Sequence, residues 1–287
     1  MALPARCPTD PSGQGNRTRV APRWPQYGAR VRTLLVGLAA GFLSGVFGVG
    51  GGILVVPALV YLLGMDQRLA HGTSLAAVLP ISAASLVGYA IAGNVDWPVA
   101  ALLASGAVVG ALIGTRLLHV LPHRALALVF AIVLIATAIR LFIPTEASGR
   151  ASLTVLGAIA LIGVGVLTGI LAGLLGVGGG VIMVPVMIAV IGIAPVVAKG
   201  TSVAVIIPTA LMGTWRNRSN DNTDLRVAAT VGASGVVSAL AGTYVSRNLD
   251  DTVSNVLFAT LVLFVAARML VDLRKPPAPD VDGFNLD

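Results

Sequence analysis

Long uncharged apolar segments occupy most of the chain from residue 31 onward. Several of them run for roughly 20 residues, the length at which an α-helix crosses the hydrocarbon core of a bilayer. The segment at 97–118 is an example, and short polar stretches separate it from its neighbours. Strands of a membrane barrel would instead alternate apolar and polar positions over about ten residues. The pattern therefore predicts an all-α polytopic integral membrane protein with roughly 8–10 hydrophobic helices.

The second half of this pattern repeats the first with an offset of 128 residues and no gap. Gly-Val-Gly-Gly-Gly stands at 48–52 and again at 176–180, and Gly-Thr-Ser stands at 72–74 and again at 200–202. Matches in one ungapped register indicate an internal duplication. The predicted organisation is a disordered basic segment at 1–30, a first membrane repeat at 31–143, a linker at 144–151, a second membrane repeat at 152–272 and a disordered tail at 273–287.

The two Gly-Val-Gly-Gly-Gly clusters are the strongest indication of a functional site. Such a run of glycines destabilises a helix, and irregular backbone at membrane depth is tolerated only where it is buried in protein or lines a cavity. We therefore expect a glycine-broken helix in each repeat, which restarts with Pro57 or Pro185 in about its first turn. The N–H groups of the new helix would face the glycines, which favours an anion. Broken helices at corresponding positions of two repeats are typical of a transporter's substrate site.

Other glycines recur every four residues, as at 37, 41 and 45 and at 106, 110 and 114. We interpret these stripes as surfaces for close packing of helices. They leave open whether the contacts join the two halves of one chain or the protomers of a homo-oligomer.

The residues around the second motif add candidate ligands. The hydroxyls of Gly-Thr-Ser could cap a helix start or contact a ligand, and both alternatives stay open. Lys199 directly precedes the second copy and is a candidate partner for an anion, unless its side chain extends to the membrane surface. His71 holds the equivalent place and could relay a proton, although a loop histidine without such a task is the default. The predicted substrate-binding set is Gly48, Gly50, Gly51, Gly52, Thr73, Ser74, Gly176, Gly178, Gly179, Gly180, Lys199, Thr201 and Ser202.

The remaining polar residues form no pattern for catalysis or for a cofactor. Asp96 and Asp224 are predicted to be turn and N-cap residues. His119 and His123 are separated by Pro122, so they are not a helical metal pair. Neither glycine cluster is followed by the Lys-Ser/Thr of a nucleotide-binding loop. We therefore predict no catalytic residue, no metal site and no cofactor, and we expect a protein that is not an enzyme.

Composition and charge then place the chain in a membrane with a defined orientation. Apolar residues make up 56% of the chain and charged residues 11%, against roughly 25% charged in a soluble domain. The net charge of +7 lies mainly in residues 1–30 and in short loops, as the positive-inside rule expects. It therefore does not indicate nucleic acid as a partner. We expect a multi-pass plasma-membrane protein with both termini cytoplasmic. The charge bias favours inverted over parallel repeats without deciding between them.

On the paired Gly-Val-Gly-Gly-Gly…Pro and Gly-Thr-Ser…Pro motifs, the sequence closely resembles the TauE/SafE (sulfite exporter, TSUP) family of membrane permeases. The resemblance covers roughly residues 33–272 and appears in both halves in the family's order. It implies transport of a small sulfur-containing or organic anion, such as sulfite, a sulfonate or thiosulfate, without ATP. The basic N-terminal segment lies outside the family pattern.

Three functions are compatible with these observations. The first is a secondary transporter that binds a small anion between its halves, with coupling to a proton or another ion left open. The second is a passive anion channel in which the glycine clusters form a filter. The third, an intramembrane enzyme or scaffold, is disfavoured because the sequence offers no triad, metal cluster or pair of intramembrane acids.

Overall fold

A computed structural model describes residues 26–117, 155–175, 178–219 and 222–274, with isolated positions between 118 and 154. All regular structure in these ranges is helical, which confirms the predicted all-α fold. The helices are α1 (Gln26–Phe47), α2 (Gly52–Leu63), α3 (Gln67–Ile91), α4 (Trp97–Leu117), α5 (Val155–Leu175), α6 (Gly180–Val186), α7 (Pro195–Ser219), α8 (Leu225–Asn248) and α9 (Asp251–Arg274). Among the described helices, α1, α3, α4, α5, α7 and α8 are long and apolar enough to cross a membrane.

The predicted helix breaks fall at the two glycine clusters. α1 ends at Phe47 and α2 begins at Gly52. The N-cap residues Gly51 and Gly179 have φ angles of 74° and 75°, a left-handed conformation that strongly favours glycine. α2 has 12 residues and is only about 18 Å long, too short to cross a bilayer alone. The cluster therefore ends one helix and starts a short second one.

The prolines after the clusters lie deeper in their helices than the first turn that we expected. Pro57 is the sixth residue of α2, in its second turn, and Pro185 is the sixth residue of α6. α6 continues without interruption as a π-helix at Met187–Ile191. Because proline cannot donate an i→i−4 hydrogen bond, it loosens the ladder just before this wider turn.

Equivalent positions, 128 residues apart in sequence, begin equivalent helices. Gly52 and Gly180 begin α2 and α6, and Trp97 and Leu225 begin α4 and α8. These bounds agree with the register read from the sequence, while a duplication as their origin remains a prediction.

The two halves run in opposite directions. Cβ atoms placed on Gly72 and Gly200 would lie 3.0 Å from the Asn217 Cβ and 2.9 Å from the Tyr89 Cβ. The start of α3 therefore packs on the end of α7, and the end of α3 packs on the start of α7. Since α3 and α7 stand at corresponding positions in sequence and are antiparallel, the packing agrees with the inverted arrangement that the charge bias favoured, and an inverted repeat stays a prediction.

The spaced glycines serve helix packing, as predicted. α1 packs along α8, where Cβ atoms on Gly41 and Gly45 would overlap the backbone carbonyls of Gly235 and Ala239. α4 packs along α5 in the same way through the stripe that includes Gly110. Each pair thus takes one helix from each half, so that these stripes join the two halves within one chain.

Candidate substrate site at the glycine clusters

The two glycine clusters meet at the centre of the fold. A Cβ atom on Gly180 would lie 2.9 Å from both the Gly48 carbonyl oxygen and the Val49 Cα. A Cβ atom on Gly51 would lie 2.7 Å from the Ala40 carbonyl oxygen. Ala40 is near the middle of the apolar span Arg30–Phe47. The clusters are therefore in contact with each other at about the mid-depth of the membrane helices.

Two equivalent aliphatic side chains fill the space beside the clusters. Val78 of α3 and Ile206 of α7 are both completely buried. A Cβ atom on Gly50 would lie 3.2 Å from Val78 and 3.0 Å from Ile206. A Cβ atom on Gly178 would contact the same two side chains, at 3.9 Å and 3.4 Å. The centre is thus closed by one residue from each antiparallel helix.

The glycine clusters also place helix N-termini at this centre. The Gly51 carbonyl accepts hydrogen bonds from the N–H groups of Leu54 and Val55, at 3.0 and 3.1 Å. The N–H groups of Gly52 and Ile53, which come before these, therefore have no acceptor within α2. No side chain caps Gly51 or its equivalent Gly179. N–H groups without an intrahelical acceptor and the positive end of the helix dipole favour a negative charge here.

The Gly-Thr part of each Gly-Thr-Ser motif holds the opposite half rather than its own helix. α3 begins at Gln67 with Asp66 as N-cap, so the capping alternative is wrong for this motif, which lies in the second turn. Thr73 instead accepts a 2.9 Å hydrogen bond from the Asp224 N–H, and Thr201 accepts one of 2.9 Å from the Asp96 N–H. These bonds position Asp224, which precedes α8, and Asp96, which precedes α4.

The glycines of the same motifs give the opposite loop room to approach. A Cβ on Gly72 would overlap the Asn222 carbonyl, and a Cβ on Gly200 would overlap the Asn94 carbonyl. The Asp224 carboxylate in turn accepts from the N–H groups of Arg226 and Val227. The predicted N-cap role of Asp224 is therefore confirmed.

The serines of the motifs differ from the threonines. Ser74 and Ser202 are completely buried, and neither hydroxyl has a hydrogen-bond partner among the described residues. Each serine lies four residues, or about one helical turn, before Val78 or Ile206 on the same helix face. Two unsatisfied hydroxyls thus lie about one turn from the side chains that contact the glycine clusters, and a polar ligand could satisfy them.

Lys199 contributes its backbone and its ammonium group to different places. A Cβ atom on Gly48 would lie 2.6 Å from the Lys199 Cα. The ammonium group donates to the Ser246 hydroxyl of α8 at 3.1 Å and to the Ser254 hydroxyl of α9. Although Lys199 is buried, its ammonium group has these serines as partners.

Sequence reasoning missed a polar group beside the first cluster. The Tyr89 hydroxyl donates to the Gly45 carbonyl at 2.5 Å, and the Ser44 and Ser85 hydroxyls are 3.4 Å apart. Ser85 and Tyr89 are four residues apart on α3, and this helical spacing could have predicted a shared polar face from the sequence. The predicted ligand Gly176 and the histidines at 119 and 123 lie outside the described residues.

The arrangement defines a class of protein. Two helices broken at mid-depth, whose breaks meet at the centre of the fold, are typical of membrane transporters.

The chain belongs to the sulfite exporter TauE/SafE family, whose sequence profile matches residues 10–141 and 161–284. A "Probable membrane transporter protein" of Xylella fastidiosa (strain Temecula1 / ATCC 700964) is 28% identical over 242 residues, which cover 82% of this chain and 91% of that protein. The "Probable membrane transporter protein YunE" of Bacillus subtilis (strain 168) is 24% identical over 263 residues, covering 83% and 96%. This chain is thus a multi-pass membrane transporter of that family.

Proposed function

We propose that the chain is a secondary transporter that moves a small sulfur-containing or organic anion, of the sulfite, sulfonate or thiosulfate class, across the plasma membrane. Both termini lie in the cytoplasm. The family description supports this substrate class, and the net charge of +7 in the N-terminal segment and short loops supports the orientation.

The convergence of the two glycine clusters is the observation that carries the proposal. An oxyanion placed there would meet N–H groups at the start of α2 and the hydroxyls of Ser74 and Ser202. A hydrogen bond to a charged group contributes about 1.5–3 kcal/mol. Three such bonds would exceed the roughly 4 kcal/mol of a millimolar dissociation constant, which leaves a margin for the cost of removing water from the anion.

Transport requires the centre to open. Val78 and Ile206 now lie against both clusters, so an anion reaches the N–H groups only when these side chains separate. Because α3 and α7 are equivalent and antiparallel, movement of one half against the other would open the site to one side of the membrane and then to the other.

Flux measurements in proteoliposomes test the proposal. The purified chain would be assayed with sulfite, thiosulfate, sulfoacetate and lactate, with and without a pH gradient. We expect saturable uptake with counterflow for a sulfur-containing anion. Flux that neither saturates nor shows counterflow would identify a channel instead, and a change with the pH gradient would identify a coupling proton.

Substitutions test the position of the site. Gly51→Leu and Gly179→Leu should abolish flux, because both place a large side chain on a left-handed residue at the centre. Gly163→Leu is the matched control, since a Cβ atom there has no neighbour within 4 Å. Normal flux in both cluster variants would refute the assignment. Ser74→Ala and Ser202→Ala, which remove only one oxygen each, should raise the half-saturating anion concentration.

A further inference from the structure

One face of α3 carries hydroxyl groups from its middle to its end. Ser82, Ser85 and Tyr89 follow one another at spacings of three and four residues, so their side chains lie on the same helix face. All three are completely buried. We call these residues the α3 stripe.

The α3 stripe continues the surface that contacts the first glycine cluster. Val78, four residues before Ser82, lies against Gly50. Beyond it, Ser85 contacts Ser44 and Tyr89 bonds the Gly45 carbonyl. The stripe thus begins at the central site and follows the last turn of α1.

The stripe then reaches the buried group around Lys199. The Tyr89 side chain lies within reach of the Ser246 side chain, and Ser246 accepts from the Lys199 ammonium. The polar groups therefore extend from the glycine clusters toward the end of α3, on the side opposite the N-terminus of α1.

Ser82 has no structural partner that explains it. Its hydroxyl makes no hydrogen bond to the described residues. It does not even bond the carbonyl one turn earlier, an arrangement that Thr168 and Thr209 both adopt. Buried polar groups are nearly always satisfied by protein or by ordered water. The hydroxyl of Ser82 is therefore available to hydrogen-bond a water molecule or an anion that passes along α3.

The equivalent face of α7 lacks these hydroxyls. Ala210 stands at the position equivalent to Ser82, and Gly213 at the position equivalent to Ser85. On α5, Ala172 stands at the position equivalent to Ser44. α7 occupies in the second half the position that α3 occupies in the first, and it packs without these hydroxyls. The α3 stripe is therefore not required for packing of the two halves.

We propose that the α3 stripe lines the half of the substrate path that runs from the glycine clusters to the membrane surface where α3 ends. This inference rests on the proposed transport of a small oxyanion. The Ser82 hydroxyl has no partner among the described residues and can donate to an anion or to its water, and the buried Lys199 ammonium adds a positive charge on the same side. On the equivalent face of the other half, Ala210 and Gly213 replace the two serines, and the first polar side chains, Thr214 and Asn217, come only at the end of α7. With both termini cytoplasmic, the polar half is the outer half.

Cysteine accessibility tests the inference with a matched pair. Cys7 is the chain's single cysteine, so Cys7→Ser provides the background. Ser82→Cys and Ala210→Cys are then compared in the detergent-solubilised full chain, using a negatively charged methanethiosulfonate reagent. Ser219→Cys, at the exposed end of α7, shows that the reagent is active.

We expect Ser82→Cys to react at least ten times faster than Ala210→Cys. We also expect a transported anion that does not itself consume the reagent, such as sulfoacetate, to slow the reaction at Ser82→Cys by at least threefold, with the rate at Ser219→Cys unchanged. A rate at Ser82→Cys no higher than that at Ala210→Cys would overturn the inference. A second pair, Ser85→Cys and Gly213→Cys, decides the matter if either member of the first pair does not fold.

Flux separates this inference from the proposed function. If proteoliposomes transport an anion while the cysteines of the α3 stripe stay unreactive, the stripe does not line the path and the proposed function stands. If the stripe cysteines react but no tested anion is transported or slows the reaction, the proposed substrate class is wrong and this inference is overturned with it.

Discussion

A single methyl group at Gly48 should destabilise the protein more than the same group at any glycine with open space around it. Gly48 has a φ of 68°, a conformation that costs an L-residue roughly 1–2 kcal/mol. A Cβ atom there would also lie 2.6 Å from both the Cα and the carbonyl oxygen of Lys199. Backbone cannot rotate aside as a side chain can, so α7 must shift. Overpacking of this kind costs about 1–3 kcal/mol. We expect Gly48→Ala to lose about 2–5 kcal/mol in total.

Two control variants separate these contributions. Gly64 has a φ of 62° and no neighbour within 4 Å, so Gly64→Ala should lose only the conformational cost of about 1–2 kcal/mol. Gly163 is helical and equally free of neighbours, so Gly163→Ala should gain up to about 1 kcal/mol from helix propensity.

The free energy of unfolding of all three variants can be measured in mild detergent by titration with a denaturing detergent, followed by circular dichroism. The informative quantity is the difference between Gly48→Ala and Gly64→Ala. If Gly48→Ala is no less stable than Gly64→Ala, then α7 does not lie against the cluster as the structure has it. The contact between the two halves at the centre would then be refuted.

Three further predictions concern single polar groups. Thr73→Val and Thr201→Val should each destabilise the chain by about 1–3 kcal/mol, because a backbone N–H of the opposite half loses its acceptor; unfolding titrations showing no loss would contradict this. Ser74→Ala and Ser202→Ala should change stability by less than about 1 kcal/mol, because neither hydroxyl has a partner to lose, and the same titrations check it. Backbone N–H groups at the start of α9 hold the pKa of Asp250 below its usual value. A lowered pKa stabilises the fold above the unfolded value of about 4, and this contribution is lost as the pH falls through the lower folded value. Asp250→Ala should therefore reduce the acid dependence of unfolding below about pH 4, and an unchanged dependence would contradict the assignment.

Local features of the fold could be predicted from the sequence because their causes are local. Helix spans follow from uncharged length, and the breaks follow from glycines whose positive φ no other residue adopts readily. The N-cap at Asp224 is equally local, since its partners lie two and three residues away. Close helix packing at the four-residue glycine stripes also follows from spacing alone.

The Gly-Thr-Ser motif shows where such reasoning ends. Its threonines bond residues 151 and 105 positions away in the sequence. Nothing in the local pattern identifies those partners, so the motif resembled a helix start although it lies in the second turn. Lys199 is a similar case, because its serine partners are 47 and 55 residues away. The direction of the second half could be inferred only from a charge bias, since the hydrophobic pattern is the same whichever way a helix runs.

The structural demands on the glycine clusters limit what their substitution can reveal about transport. Gly48 and Gly51 are required by backbone conformation and by contact with α7 and α1, whether or not an anion binds beside them. Loss of flux in a glycine variant therefore combines a folding effect with a binding effect. Ser74 and Ser202 separate the two, because their hydroxyls contribute no described hydrogen bond to the fold and lie one turn from Val78 and Ile206 at the same centre. A loss of anion affinity in Ser74→Ala and Ser202→Ala without loss of stability would assign the centre to substrate binding in a way that glycine variants alone cannot.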